Sequence, residues 1–357
     1  MIRVLIVDDS AIVRDVLSRG LSACPDIEVI GTAPDPFIAR NKILSEKPDV
    51  VTLDIEMPRM DGLTFLKILM QYHPLPILIV SSVSTNDKQA ALEALGEGAF
   101  DIINKPDGNL SVQGVLDEII EKIRAAYDNR DRFRTRQLAI RALSPTARTG
   151  QRDKPAAADS GMLARVLTTD SCIAIGSSTG GTIALEYVLP NLPANLPPVL
   201  IVQHMPRSFT GQFAIRIDSL CALRVKEAED GEILQRGHVY IAPGGRHMEV
   251  SREGSSVYVR LRDGEKVQFQ KPSVDVLFNS MAETFGRNAL GVLLTGMGRD
   301  GAQGLLAMKN QGAQALIQDE DSCVVWGMPR AAYEIGAYTA VAGLNDIPRL
   351  IADYSRS

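Results

Sequence analysis

The chain has 357 residues, 45% of them hydrophobic and 23% charged, a composition that excludes fibrous and intrinsically disordered classes. Its 38 Lys and Arg against 43 Asp and Glu leave a net charge of −5, which supplies no overall attraction to nucleic acid or to an anionic membrane. No apolar run reaches the roughly 18 residues of a membrane span. Cys24, Cys172, Cys221 and Cys323 form no CxxC pair, so buried free thiols in a reducing cytoplasm are expected.

At roughly 150 residues per domain, the length predicts two domains. Short β-branched runs at residues 4–7, 28–31, 50–54, 77–81 and 100–103 have the pattern of buried parallel strands. Helical stretches lie between them. Residues 111–126 close the unit as a helix, with Val112, Val115, Leu116, Ile119 and Ile123 at helical spacing. Strand and helix in alternation predict a doubly wound parallel sheet, whose ligand site lies at the carboxyl ends of its strands. Asp8 and Asp9 end the first strand and Asp54 the third, and in such a winding these strands are neighbours. Three carboxylates at one edge repel unless a hard divalent cation relieves them. Lys105, before Pro106, can reach the same pocket, and Ser81 or Ser82 after the fourth strand can supply a hydroxyl. An aspartate between two cations is suited to attack a phosphoryl group.

The alternation disappears across residues 129–154. Seven Arg and one Lys against two Asp give this window +6, so the rest of the chain carries −11. Two readings stand: a solvated linker that prolongs the fifth helix for some turns, or a docking strip for an acidic partner.

A second αβ pattern starts at Ser171. Strands are expected at 171–176, 199–204, 290–295 and 313–317, and helices at 182–189, 210–219, 274–285 and 301–310. Residues 238–250 and 256–262 alternate around Gly-Gly and Glu-Gly turns, which predicts an antiparallel hairpin. Between the first of these strands and its helix lies Gly176-Ser177-Ser178-Thr179-Gly180-Gly181. As G-x-S-x-G it is a nucleophile elbow around Ser178; as a Gly/Ser loop it could cradle a phosphate or be a plain turn. His204 ends the next strand, and Asp300 follows the strand at 290–295 through Gly296-Met297-Gly298-Arg299. Strand ends of a parallel sheet share an edge, so Ser178, His204 and Asp300 can meet there as nucleophile, base and orienting carboxylate. Of the other histidines, His73 is expected in a solvated loop, His238 at the start of a hairpin strand, and His247 in an exposed turn near the pocket. Trp326 either walls the pocket or packs.

Two resemblances follow from these residues. Asp8-Asp9, the run from Asp54 through Met57-Pro58 to Asp61-Gly62, and Asn104-Lys105-Pro106 resemble the receiver domain of two-component response regulators. That likeness implies a flavodoxin-like fold with Asp54 as phosphoacceptor for a histidine kinase. It further implies Mg²⁺ held by Asp8, Asp9 and Asp54, and Lys105 and Ser81 as the residues that sense phosphate. The segments around Ser178, Gln203-His204-Met205-Pro206, 242–248, 272–278, 294–301 and Gly327-Met328-Pro329 look like chemotaxis response regulator protein-glutamate methylesterases, which are also protein-glutamine deamidases.

That second likeness implies a Rossmann-like α/β catalytic domain carrying the hairpin, Ser178 as nucleophile, His204 as base then acid, Asp300 as orienter, and the Met297 N–H as oxyanion donor. No cofactor is implied for the esterase. The expected layout is a receiver over 1–125, a basic linker over 126–164 and a catalytic domain over 165–357. The substrate implied is a glutamyl methyl ester on the cytoplasmic helices of a chemoreceptor, and the protein is expected to be a cytoplasmic monomer without membrane insertion or nucleic-acid binding. The unphosphorylated receiver is expected to cover the catalytic edge. Ser177 stands where Ala is frequent and Arg299 where Asn is frequent, the latter placing a cation beside Asp300. A response regulator with another ester as substrate, or with a non-enzymatic binding output, is the alternative.

Overall fold

The computed structural model describes residues 1–81, 85–105, 112–134 and 170–356, with only the backbone described for 85–87 and 112. The chain divides into two compact units, Met1–Ala147 and Arg148–Ser357.

In the first unit five strands alternate with five helices: β1 (Ile2–Val7), α1 (Ala11–Ser22), β2 (Ile27–Ala33), α2 (Pro36–Glu46), β3 (Val50–Leu53), α3 (Gly62–Tyr72), β4 (Ile77–Ser81), α4 (Thr85–Gly96), β5 (Asp101–Asn104) and α5 (Val112–Asp128). The strands form one parallel sheet in the order β2-β1-β3-β4-β5. All four residues of β3 and all five of β4 are buried, because helices cover both faces. Helix starts follow their capping residues: Ser10 accepts from Val13 N–H, Asp35 from Phe37 and Ile38 N–H, and Asp61 from Thr64 N–H. The chain leaves α5 in a further helical turn, and Phe133 packs edge-on against Phe100 with ring centroids 5.9 Å apart. Most of the basic window, from residue 135 onward, lies outside the described residues, as do Ser82 and Pro106.

The second unit contains β6 (Cys172–Ser177), α6 (Gly181–Val188), β7 (Val199–Gln203), α7 (Arg207–Leu220), β8 (Arg224–Glu227), β9 (His238–Ile241), β10 (His247–Glu253) and β11 (Ser256–Arg262). It continues through α8 (Val274–Phe285), β12 (Ala289–Leu293), α9 (Ala302–Asn310), β13 (Gln314–Gln318), α10 (Met328–Glu334), β14 (Ala340–Ala342) and α11 (Ile347–Tyr354). Seven strands make a parallel sheet in the order β14-β13-β12-β6-β7-β9-β8. The chain enters at β6, builds outward through β7, and returns to the other side of β6 at β12. The winding therefore reverses between β6 and β12, and a doubly wound sheet opens a crevice at that point. The fold expected from the alternation, two parallel α/β sheets and a small antiparallel pair, is borne out.

The hairpin is narrower than expected. β10 and β11 pair antiparallel as a two-stranded sheet, but residues 238–241 belong to the main sheet, parallel to β7. Ala242-Pro243-Gly244-Gly245 breaks the run, and Val239, Tyr240 and Ile241 are buried as an interior strand requires. The hairpin lays Met248, Val250, Val257, Val259 and Leu261 into the same core as Leu277, Phe278 and Met281 of α8. Cys172, Cys221 and Cys323 are buried free thiols, whereas Cys24 is half-buried.

Candidate active sites of the two units

At the β1/β3 edge of the first sheet, Asp8 and Asp54 are buried and Asp9 is exposed. One carboxylate oxygen from each lies within 4.8 Å of the others. Lys105 reaches both buried carboxylates, with Nζ 2.9 Å from Asp8 Oδ2 and 2.7 Å from Asp54 Oδ2. Burial pushes the Asp54 carboxyl up to about 6 against the pull of Lys105, and the Asp8 charge adds to the rise. Burial also opposes the Lys105 ammonium, yet its bonds to Asp54 and Asp8 raise it above the ordinary lysine range. Ser81, wholly buried at the end of β4, accepts the Lys105 N–H through its carbonyl at 2.8 Å and so sets the base of that side chain. An all-oxygen donor set of three carboxylates suits a hard divalent ion such as Mg²⁺.

In the second unit, the three strand ends on either side of the winding reversal lie side by side. Ser177 pairs with Gln203, and Leu293 with Gly176, so Ser178, His204 and the loop to Asp300 leave the sheet at one level. Ser178 N–H donates to Thr295 O at 3.1 Å, and His204 N–H to Ser177 O at 3.0 Å. The elbow is tight: Gly180 has φ +76°, and a β-carbon on Gly296 would stand 2.8 Å from Ser178 Cβ. α6 begins at once after it.

Asp300 is the most constrained group of the site. Its Oδ2 lies 2.8 Å from His204 Nε2 and accepts from Val274 N–H at 2.7 Å. Its Oδ1 accepts from the Ser273 hydroxyl at 2.7 Å and from Asp275 N–H at 3.0 Å. Burial alone would raise this carboxyl. The bond and charge of His204, with the Asp275 N–H and Ser273 hydroxyl, hold it below the usual carboxylate range. An ionised Asp300 only accepts, so the His204 proton sits on Nε2 and Nδ1 keeps its lone pair. His204 Nδ1 is buried and has no hydrogen-bond partner among the described residues. The nitrogen left for a serine is thus Nδ1, the reverse of the trypsin arrangement. Met297 is half-buried in the loop before Asp300.

Three readings from the sequence need correction. Arg299 is exposed, so it adds no cation to the Asp300 carboxylate, whose four contacts come from His204, Ser273, Val274 and Asp275. His247 is buried at the start of β10 rather than exposed: its Nδ1 accepts from Ser273 N–H at 3.2 Å and its Nε2–H donates to Glu265 O at 2.9 Å. It thereby braces the serine that braces Asp300. His238 begins an interior strand, half-buried and stacked on Tyr240. His73 is exposed as expected. Trp326 bridges Gly296 through the backbone and leans on Tyr333, so it both packs and borders the loop beside Ser178.

Sequence reasoning missed Ser273 and Asp275. Asp275 sits in the first turn of α8, and its Oδ1 accepts from Gly304 N–H at 2.7 Å, capping α9 from outside. Burial pushes its carboxyl up to about 6, with Asp300 adding repulsion against the pull of the Gly304 bond. Because the folded value lies above the unfolded one, stability is full below about 4 and falls as pH rises through about 6. Asp275→Asn removes that loss. Relative to the parent, its stability is expected to improve by about 2–3 kcal/mol between pH 4 and pH 7.5. Urea unfolding followed by the fluorescence of Trp326, the single tryptophan of the chain, checks this; a pH-independent difference contradicts it.

A doubly wound sheet with an acidic strand edge and a lysine, joined to a parallel α/β sheet with serine, histidine and aspartate at one edge, defines a class: a response-regulator receiver linked to an ester hydrolase. The comparisons agree with that class. Residues 4–113 match the response regulator receiver domain and residues 173–351 the CheB methylesterase. The chain belongs to the protein-glutamate methylesterase/protein-glutamine glutaminase family. It is 49% identical over 354 residues to the enzyme of that name from Sulfurimonas denitrificans, covering 98% of this chain and 97% of that one. It is 50% identical over 346 residues to one from Syntrophus aciditrophicus, covering 97% of each chain. The crystal structure of the Thermotoga maritima CheB methylesterase catalytic domain matches with TM-score 0.51 and 40% identity, over 51% of this chain and 97% of that one.

Proposed function

We propose that the second unit hydrolyses glutamyl methyl esters on the cytoplasmic helices of chemoreceptors and deamidates glutamines there, and that phosphorylation of Asp54 by a histidine kinase regulates it. The observation that carries the chemistry is the His204–Asp300 bond of 2.8 Å, which leaves His204 Nδ1 unpaired at the strand edge beside Ser178. Ser178 Oγ attacks the ester carbonyl as its proton passes to Nδ1. The Met297 N–H stabilises the oxyanion, a donor worth about 10²–10³ in kcat. The proton on Nδ1 goes to the departing methoxide, giving methanol, or to the leaving amide nitrogen, giving ammonia. Water, deprotonated by Nδ1, then cleaves the acyl-serine and restores Ser178. The esterase uses no cofactor.

In the first unit Asp54 is the phosphoacceptor, with Mg²⁺ held by Asp8, Asp9 and Asp54. When bound, the ion supplies charge neutralisation at the phosphoryl oxygens. Lys105 and Ser81 sense the phosphate. The proposed layout is receiver 1–125, basic linker 126–164 and catalytic domain 165–357, acting as a cytoplasmic monomer. The unphosphorylated receiver restrains the ester hydrolysis, and phosphorylation of Asp54 relieves that restraint.

Asp54→Asn tests the regulatory half. Labelling by a small-molecule phosphodonor is expected to vanish, together with a donor-dependent stimulation of methanol release of roughly 5–150-fold. The unstimulated rate stays at the parental value. Stimulation that survives in this variant contradicts Asp54 as the acceptor.

A further inference from the structure

The β6–β7 ladder stops one residue short of the chemistry. Its last rung is His204 N–H to Ser177 O, after which Ser178 turns into α6 and His204 runs toward α7. Among the described residues no backbone–backbone hydrogen bond joins Ser178 to His204. The main chain ties His204 to Ser177 and Ser178 to Thr295, but not Ser178 to His204 directly, and a displacement near 1 Å between them can cost about 10²-fold in rate.

Gln203, the last residue of β7, fills that gap. Its Nε2 donates to Ser178 O at 2.9 Å and to His204 O at 3.0 Å. Its Oε1 accepts from the Ser177 hydroxyl at 2.6 Å. Two donors and an acceptor in one rigid plane are what a primary amide offers, and all three bonds are made. The group is buried, with Gln203 only 2% exposed, so each bond acts in a low dielectric where loosening it is costly. Space for the amide is provided by Gly181, where a β-carbon would come within 2.2 Å of Gln203 Oε1. The hydroxyl on its acceptor side belongs to Ser177.

We propose that Gln203 is a positioning residue for the ester hydrolysis: its amide acts as an extra rung of the sheet that fixes the main chain of Ser178 against that of His204. It touches no reacting atom and acts through the two residues that do. The inference rests on the reading of Ser178 and His204 as nucleophile and base. Because the two Nε2 bonds hold the catalytic main chains, losing them should slow the chemical step without weakening substrate binding. Because the Ser177 hydroxyl only orients the amide, losing it should matter far less.

The test uses the full chain with Gln203→Met, which keeps length and packing but removes both donors, Gln203→Glu, which points carboxylate oxygens at two carbonyls, and Ser177→Ala. Methanol release from methylated receptors is measured per active site, along with the rate of Ser178 sulfonylation by phenylmethylsulfonyl fluoride. In Gln203→Met, kcat is expected to fall about 10²-fold with KM within threefold, and sulfonylation to slow in proportion. Gln203→Glu should fall at least as far and decides the matter if the methionine variant does not fold. Ser177→Ala should stay within threefold of the parent. A parental kcat in either folded Gln203 variant overturns the proposal, as does a Ser177→Ala loss equal to that of Gln203→Met. Sulfonylation needs no receptor. If the parent protein is sulfonylated but releases no methanol, the substrate reading fails while the role of Gln203 is still decided by the sulfonylation rates.

Discussion

Ser178→Ala is expected to lower methanol release by about 10⁵–10⁶, the scale at which a serine hydrolase loses its nucleophile. The fold should remain, because the elbow is held by the Ser178 main chain. Its N–H bonds Thr295 O at 3.1 Å, and its carbonyl accepts from Gly181 N–H at 2.7 Å. Removing Oγ leaves those bonds in place. Loss of sulfonylation with an unchanged unfolding transition is the expected pair of results. Retained hydrolysis in that variant would mean that another residue attacks the ester.

Asp300→Asn should cost about 10⁴ in kcat. The carboxylate accepts four hydrogen bonds and donates none. An amide of the same shape must place two N–H donors among groups that are themselves donors. If its NH₂ faces His204, the imidazole can meet it only by carrying its own proton on Nδ1. The atom that should accept the serine proton is then already occupied. The defect is one of tautomer and not of substrate contact, so KM should change little. A loss below tenfold would show that His204 keeps its working tautomer without Asp300.

The sequence carried the positions of the two edges further than it carried their shape. Asp8, Asp54, Ser178 and His204 could be located because each closes an apolar β-branched run, and strand ends of a parallel sheet must converge. Asp300 was within reach for the same reason, although a six-residue loop separates it from β12. The support of that carboxylate was not legible. Ser273 and Asp275 look like an ordinary N-cap and first-turn acid of α8, and only packing of α8 against the Asp300 loop turns them toward it. His247 was hidden likewise, since its partners Ser273 and Glu265 are far along the chain. β8 leaves no signal in the sequence because Arg224, Lys226 and Glu227 give an edge strand no apolar run, and His238 looks like part of the hairpin because alternation continues across a turn that separates two sheets. Gln203, adjacent to His204, carries no periodicity that marks it.

In the proposed function one chain couples an aspartyl phosphate to the cleavage of receptor methyl esters. The direct measurement is methanol release from methyl-labelled chemoreceptors by the full chain, with Mg²⁺ present and a small-molecule phosphodonor added or withheld. Release is expected to rise when the donor is added and to disappear in Ser178→Ala. Intact receptor methyl esters beside rapid cleavage of generic esters, with or without the donor, would contradict it.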